Sequence, residues 1–286
     1  MALPLFKRSK TEENPQAEMG FIDHLEILRW HLVRSAIAVV LVAIVIFINI
    51  DWFFDTIILG PLRSDFWTYD TLCRWGQYLH LGKALCMPYP QINMQVTAFG
   101  SQFMSSITIA ILGGFIIAFP YVFYEFWRFI KPALSDKEVK RTRGAIFWVT
   151  FFFLLGLSFG YFLLAPFTFS FLSNFKLGVL KAIETKPTLD DYLDNMINIL
   201  IGTGLSFELP VISYVLTKIG IVGPNFLRNY RRYAIVIILI VAAIITPSPD
   251  WISQAIVAIP LYSLYELGIL ISVRVERENN RELNQR

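Results

Sequence analysis

At 286 residues, with 55% hydrophobic, 15% aromatic and 16% charged, the chain carries too little polar surface to clothe a soluble globule of its size. A formal net charge of +3 is too small and too dispersed for a nucleic-acid surface, which leaves a membrane protein as the class. Three histidines and two cysteines supply a metal centre poorly, so neither a metal nor another cofactor is expected.

The first 20 residues, MALPLFKRSKTEENPQAEMG, are polar and lack the apolar core and small-residue cleavage site of a secretory signal, so they read as a retained cytoplasmic tail. A span of the hydrocarbon core takes roughly 20 apolar residues. Six such stretches follow, at about 33–50, 101–124, 145–165, 196–216, 233–246 and 251–273. They predict an all-α, six-helix membrane domain over 21–273 with a polar tail at 274–286. The stretch 51–100 carries Trp52, Trp67 and Trp75, a composition suited to the membrane interface, and is expected to lie on the membrane as a cap. Its two cysteines, Cys73 and Cys86, read equally as a disulfide, if that side is oxidising, or as two free thiols. Before the fourth span, Thr188 or Asp190 is placed to cap the first helical turn. The fifth stretch, at roughly 1.5 Å per residue, falls well short of a core about 30 Å thick, so a thinned bilayer is expected beside the last two spans.

Six spans put both termini on one side. Of the 25 basic residues, only Arg63, Arg74, Lys83, Lys176, Lys181 and Lys186 fall in the loops of the opposite side. Basic residues near span ends are retained in the cytoplasm, so both termini are expected there.

Intramembrane acids are the natural candidates for function, because a charge at mid-bilayer costs a few kcal/mol. Glu208 lies in GTGLSFELPV near the middle of the fourth span, and Pro210 removes a backbone donor just beyond it. It reads as a docking point for another helix or a proton-linked site, against the blander reading of a protonated acid bonded inside the bundle. Glu266 lies close enough to its span end to reach the interface, and Asp250, with Ser253 and Gln254, makes a polar knot at the turn between the last two spans. No His-Glu-x-x-His motif, Gly-x-Ser-x-Gly elbow or glycine-rich phosphate loop occurs, so an enzyme is not expected. FIDHLEILRWHL at 21–32 and FPYVFYEFWRFIKPALSDKE at 119–138 mix acids with bases and aromatics at the expected cytoplasmic face. Carboxylates so placed suit a basic peptide, which they grip through two-pronged contacts to arginine.

Those two segments, with GLSFELPV at 204–211 and RRYA followed by ITPSPDWISQ and VAIPLYSLYELGI at 231–269, resemble the TatC family over nearly the whole chain. TatC is the multi-spanning subunit of the twin-arginine protein translocase of the bacterial cytoplasmic membrane. The resemblance implies a receptor whose cytoplasmic face binds twin-arginine signal peptides of folded cargo. It implies assembly with single-span TatA- and TatB-type partners and with further copies of itself, and transport driven by the proton-motive force. On the matching positions it implies that Glu138 and Arg29 serve the signal peptide, with Glu26 as a neighbouring stand-in for the motif acid. Likewise Glu208 with Pro210 would meet partner helices, and Pro61, Asp250 and Gln254 would serve the periplasmic side. The family motif His-Leu-x-Glu-Leu-Arg is broken here, since Ile27 stands where the acid is usual and Glu26 is its neighbour, about 100° away around a helix. A small-solute or ion transporter using Glu208 is the competing reading.

Overall fold

The structure, a computed structural model, describes residues 21–78, 80, 86–90, 92–131, 144–175, 186–246 and 251–284, with the side chains of 21–25, 145, 252 and 279–284 left aside. Its long helices are α1 (Phe21–Ile48), α4 (Ser101–Ile130), α5 (Ala145–Phe159) running on into α6 (Ala165–Asn174), α7 (Leu189–Ser206) leading to α8 (Leu209–Ile219), α10 (Arg231–Ile245) and α11 (Trp251–Asn284). Short α2 (Ile50–Phe53), α3 (Trp67–Tyr78) and α9 (Pro224–Asn229) lie between them. The described residues contain no β-strand, only one isolated bridge between Gln95 and Thr188.

Five segments are long and apolar enough to cross a membrane: Glu26–Ile48, Ser101–Ile130, Ile146–Asn174, Leu189–Ile219 and Ser253–Glu278. Their apolar residues are turned outward to a degree that water would not tolerate: Leu41 is 60% exposed, Val45 61%, Ile111 54% and Leu270 64%. α10, over the fifth apolar stretch of the sequence, has 15 residues, ~22 Å of helix, and is not among these five segments.

In lipid the attraction between helices comes from close packing rather than from exclusion of water, so small residues mark the seams. At Gly114 of α4 a side-chain methyl would lie 2.8 Å from the Val39 carbonyl oxygen of α1, so only glycine lets α1 and α4 meet there. Gly156 of α5 does the same against α7, where a methyl would lie 2.6 Å from the Thr203 carbonyl oxygen. Between these seams Phe119 of α4 stacks on the fully buried Phe153 of α5, and the core continues through Leu164, Met196, Ile199 and Leu261.

Two breaks fall at prolines, Pro166 and Pro210, whereas Pro120 and Pro260 lie inside unbroken helices. Pro166 has no N–H to offer the Phe162 carbonyl four residues back, the helix loosens into a π-turn over Gly160–Leu164, and the hydroxyl of Thr68 on α3 donates to that carbonyl instead. This bond ties the cap helix to the bundle. The chain reaches α3 through a π-turn at Phe54–Ile58 and a 3-10 turn at Gly60–Leu62, and irregular backbone of this kind needs partners for its carbonyls. Three tyrosines supply them: Tyr161 donates to Ile57 (2.7 Å), Tyr192 to Ile58 (2.6 Å) and Tyr69 to Pro61 (2.7 Å). Burial pushes the Tyr69 phenol well above its ordinary pKa, so it stays a donor at any physiological pH. On the same face Cys73 and Cys86 form a disulfide, which closes α3 onto the loop behind it. Thr188, not Asp190, caps α7, with Asp191 returning the bond to the Thr188 backbone. Asp190 turns instead to α4, accepting from Ser101 (2.5 Å) and Ser105 (3.0 Å).

Replacing Tyr192 by Phe strands the Ile58 carbonyl in a dry site and is expected to cost about 1–3 kcal/mol. Thermal denaturation in detergent measures this, with Tyr78→Phe on an 84% exposed ring as the silent comparison.

Candidate functional site

Two polar sites interrupt the apolar bundle. The first lies where the N-terminal part of α1 meets the C-terminal part of α4. On α1, Ile27, His31 and Arg34 recur at helical spacing and share one face; on α4, Tyr121, Glu125 and Phe129 do the same. His31 Nδ1 lies 2.5 Å from Glu125 Oε2, with the two side chains 11% and 3% exposed. Tyr121 donates to the other carboxylate oxygen at 3.1 Å, and Arg34 stands 4.0 Å from Oε2. The edge of the His31 ring meets Phe129, which holds the imidazole toward the acid. Glu125 is thus a carboxylate at the membrane boundary with partners on both oxygens, and it locks α1 in rotation against α4.

Glu26 and Arg29 sit on the outer side of α1, exposed, and neither makes an ion pair among the described residues, while Ile27 is half-buried. Sequence reasoning proposed Glu26 and Arg29 and missed the His31–Glu125 pair. Glu125 stands within the 119–138 segment and His31 follows the HLEILR motif by two residues, but their 94-residue separation left no signal that they touch. Glu138 lies outside the described residues.

The second site is Glu208. The chain makes a turn at Phe207 and Glu208 before α8 begins, because Pro210 cannot donate to the Ser206 carbonyl. Glu208 is 6% exposed, and among the described residues neither carboxylate oxygen has a well-placed hydrogen-bond partner, though the Phe153 backbone acts on the carboxyl. A buried polar group so left incomplete is uncommon, and it marks a position where a further partner would be gained. Pro210 itself is buried, with its Cα near the site where Gly268 of α11 approaches.

The remaining residues singled out in the sequence take structural places. Pro61 is buried, and its carbonyl receives Tyr69. Gln254 of α11 donates to the Leu239 carbonyl of α10 at 3.1 Å, a polar tie between the last two membrane helices. Asp250 lies outside the described residues. Glu266 accepts from Arg231 (2.8 Å) and from Tyr262 (2.9 Å), pairing α11 with the start of α10.

The profile of the family described as Sec-independent protein translocase protein (TatC) matches residues 23–260. The chain is 39% identical over 267 residues to the Sec-independent protein translocase protein TatC of Blattabacterium sp. subsp. Periplaneta americana (strain BPLAN), covering 93% of this chain and 99% of that one. To the protein of the same name from Deinococcus radiodurans it is 33% identical over 256 residues, with coverage of 90% and 86%. The crystal structure of the twin-arginine translocase receptor TatC in DDM superposes with a TM-score of 0.68 at 30% identity, over 87% of this chain and 99% of that one.

His31 and Glu125 are expected to act as a unit. In a double-mutant cycle with His31→Ala and Glu125→Ala, melting of the purified protein should give a coupling energy of about 0.5–3 kcal/mol, whereas additive losses would mean that the contact does not hold α1 to α4.

Proposed function

This chain belongs to the TatC family of Sec-independent protein translocase proteins, and we propose that it is the receptor subunit of a twin-arginine translocase. In this reading it sits in a bacterial cytoplasmic membrane with six spans and both termini inside. It binds twin-arginine signal peptides at its cytoplasmic face, joins TatA- and TatB-type single-span partners and further copies of itself, and exports folded cargo on the proton-motive force. The observation that carries the proposal is the exposed acid Glu26 on a helix end held in one orientation by the buried His31–Glu125 pair. Recognising two guanidinium groups needs carboxylates fixed in geometry as well as in charge, since each bidentate contact is directional. Glu138 supplies the main carboxylate contact and Glu26, neighbour of the position where the acid is missing at Ile27, the second, with Arg29 alongside.

Two features support the orientation. Nineteen of the 25 basic residues fall on the side of the termini. The Cys73–Cys86 disulfide lies on the opposite side, as an oxidising periplasm would favour. On that periplasmic side Pro61, Asp250 and Gln254 are assigned to holding the cap and the last hairpin in place.

Glu208 is assigned to partner docking. A solute pathway would gather several polar groups around a midplane acid. Among the described residues Glu208 has none on its carboxylate, and a single polar group from an incoming helix would satisfy it.

Photocrosslinkers placed at 26 and at 138 are expected to capture a twin-arginine signal peptide and to lose it when both arginines become lysine. Equal capture of the two peptides would remove the receptor assignment. For Glu208, substitution by Leu is expected to leave the melting temperature of the isolated protein unchanged or raised, because an incomplete buried acid is replaced by an apolar side chain. Copurification of single-span partners from membranes should fall severalfold in the same variant; undiminished copurification would return Glu208 to a purely structural role.

A further inference from the structure

Side chains of α5, α8, α9 and α11 line a groove of about 1160 Å³. This exceeds the ~300–1,000 Å³ of ordinary small-molecule sites. Its lining runs along α11 from Leu267 to Glu278, three turns or ~16 Å of helix. Toward Leu267 the lining is apolar, with Phe152 of α5 and Leu267, Leu270 and Ile271 of α11. Its other end is cationic, with Arg228 of α9 and Arg274 and Arg277 of α11 on the rim.

The charges at this rim do not balance internally. All three arginines are exposed, and among the described residues none takes part in an ion pair or side-chain hydrogen bond. The acid in the lining, Glu278, is already engaged by Lys218 at 3.2 Å, whose side chain is 8% exposed. Trp148, half exposed on the groove wall, is a residue type that settles at the level of lipid headgroups.

We propose that this groove binds an anionic glycerophospholipid, its phosphate held by Arg228, Arg274 and Arg277 and one acyl chain laid along α11 between α5 and α8. Guanidinium groups match phosphate oxygens in a two-pronged fashion, and three of them outside any ion pair among the described residues favour a headgroup of net negative charge over a zwitterionic one. The apolar trough below supplies what a soluble phosphate lacks, a wall for a hydrocarbon chain. A partner's apolar helix would fill the trough as well but would leave the arginines unanswered. The assignment stands independently of the signal-peptide reading, since it uses no residue of that site.

The test is native mass spectrometry of the intact protein released from nanodiscs containing equal phosphatidylglycerol and phosphatidylcholine. The wild type should retain phosphatidylglycerol selectively. The triple variant Arg228→Gln, Arg274→Gln, Arg277→Gln should lose that retention by roughly tenfold or more, while Arg63→Gln, just before α3, with Arg74→Gln, in α3, should not. Leu270→Trp, which fills the trough and leaves the rim charges in place, should lose it too. Retention of both lipids alike, or loss in the arginine variant with full retention in Leu270→Trp, would overturn the proposal, the latter because attraction to surface charge alone would then suffice. Melting curves of the variants, all on exposed side chains, are expected to match the wild type.

Discussion

A backbone carbonyl in hydrocarbon has no water to turn to, and this constraint bears on two departures from regular helix, at 54–62 and at Gly160–Leu164. At both, side chains answer for the backbone. The Phe162 carbonyl, orphaned by Pro166, takes the hydroxyl of Thr68. The irregular run from Phe54 to Leu62 takes three tyrosine hydroxyls from α3, the π-turn after α5, and α7. Two of these bonds, from Tyr161 and Tyr192, bring residues more than a hundred positions away onto one short segment, and together they turn a loop into a cap joined to the bundle.

Against that background the two acids differ in kind. Glu125 lies where α1 and α4 meet and has His31, Tyr121 and Arg34 around it, so its charge is answered locally and its contribution is to orientation. Glu208 lies at a proline-loosened turn and is incomplete. A completed network makes a rigid element, and an incomplete one makes a place that gains by meeting something else. Recognition of a peptide at a fixed surface and docking of a helix at a buried acid are the uses these two conditions suit.

The same division runs through the apolar parts. Gly114 and Gly156 bring helix backbones into contact and make the seams of the bundle, while a groove remains open beside α11, with Arg228 of α9 in its lining. Close-packed seams hold the protein together, and the surfaces without such seams face lipid or a partner.

Much was legible from the residues alone. Runs of apolar residues long enough to cross a bilayer are unavoidable in one dimension, because each helix must satisfy its backbone within itself, so the all-helical class and the place of each apolar stretch follow from local sequence. Ordered motifs carried the family, and Glu208 announced itself as an acid inside an apolar run. What local sequence could not contain is which elements meet. Whether Cys73 and Cys86 were bonded, that Thr188 and not Asp190 caps α7, that Asp190 turns to Ser101 and Ser105, and that His31 and Glu125 pair across 94 positions were all decided by tertiary packing. Hydropathy and spacing describe a helix and its faces one at a time; the partner on each face is set only when helices close on one another and every buried polar atom is matched, or left unmatched, in three dimensions.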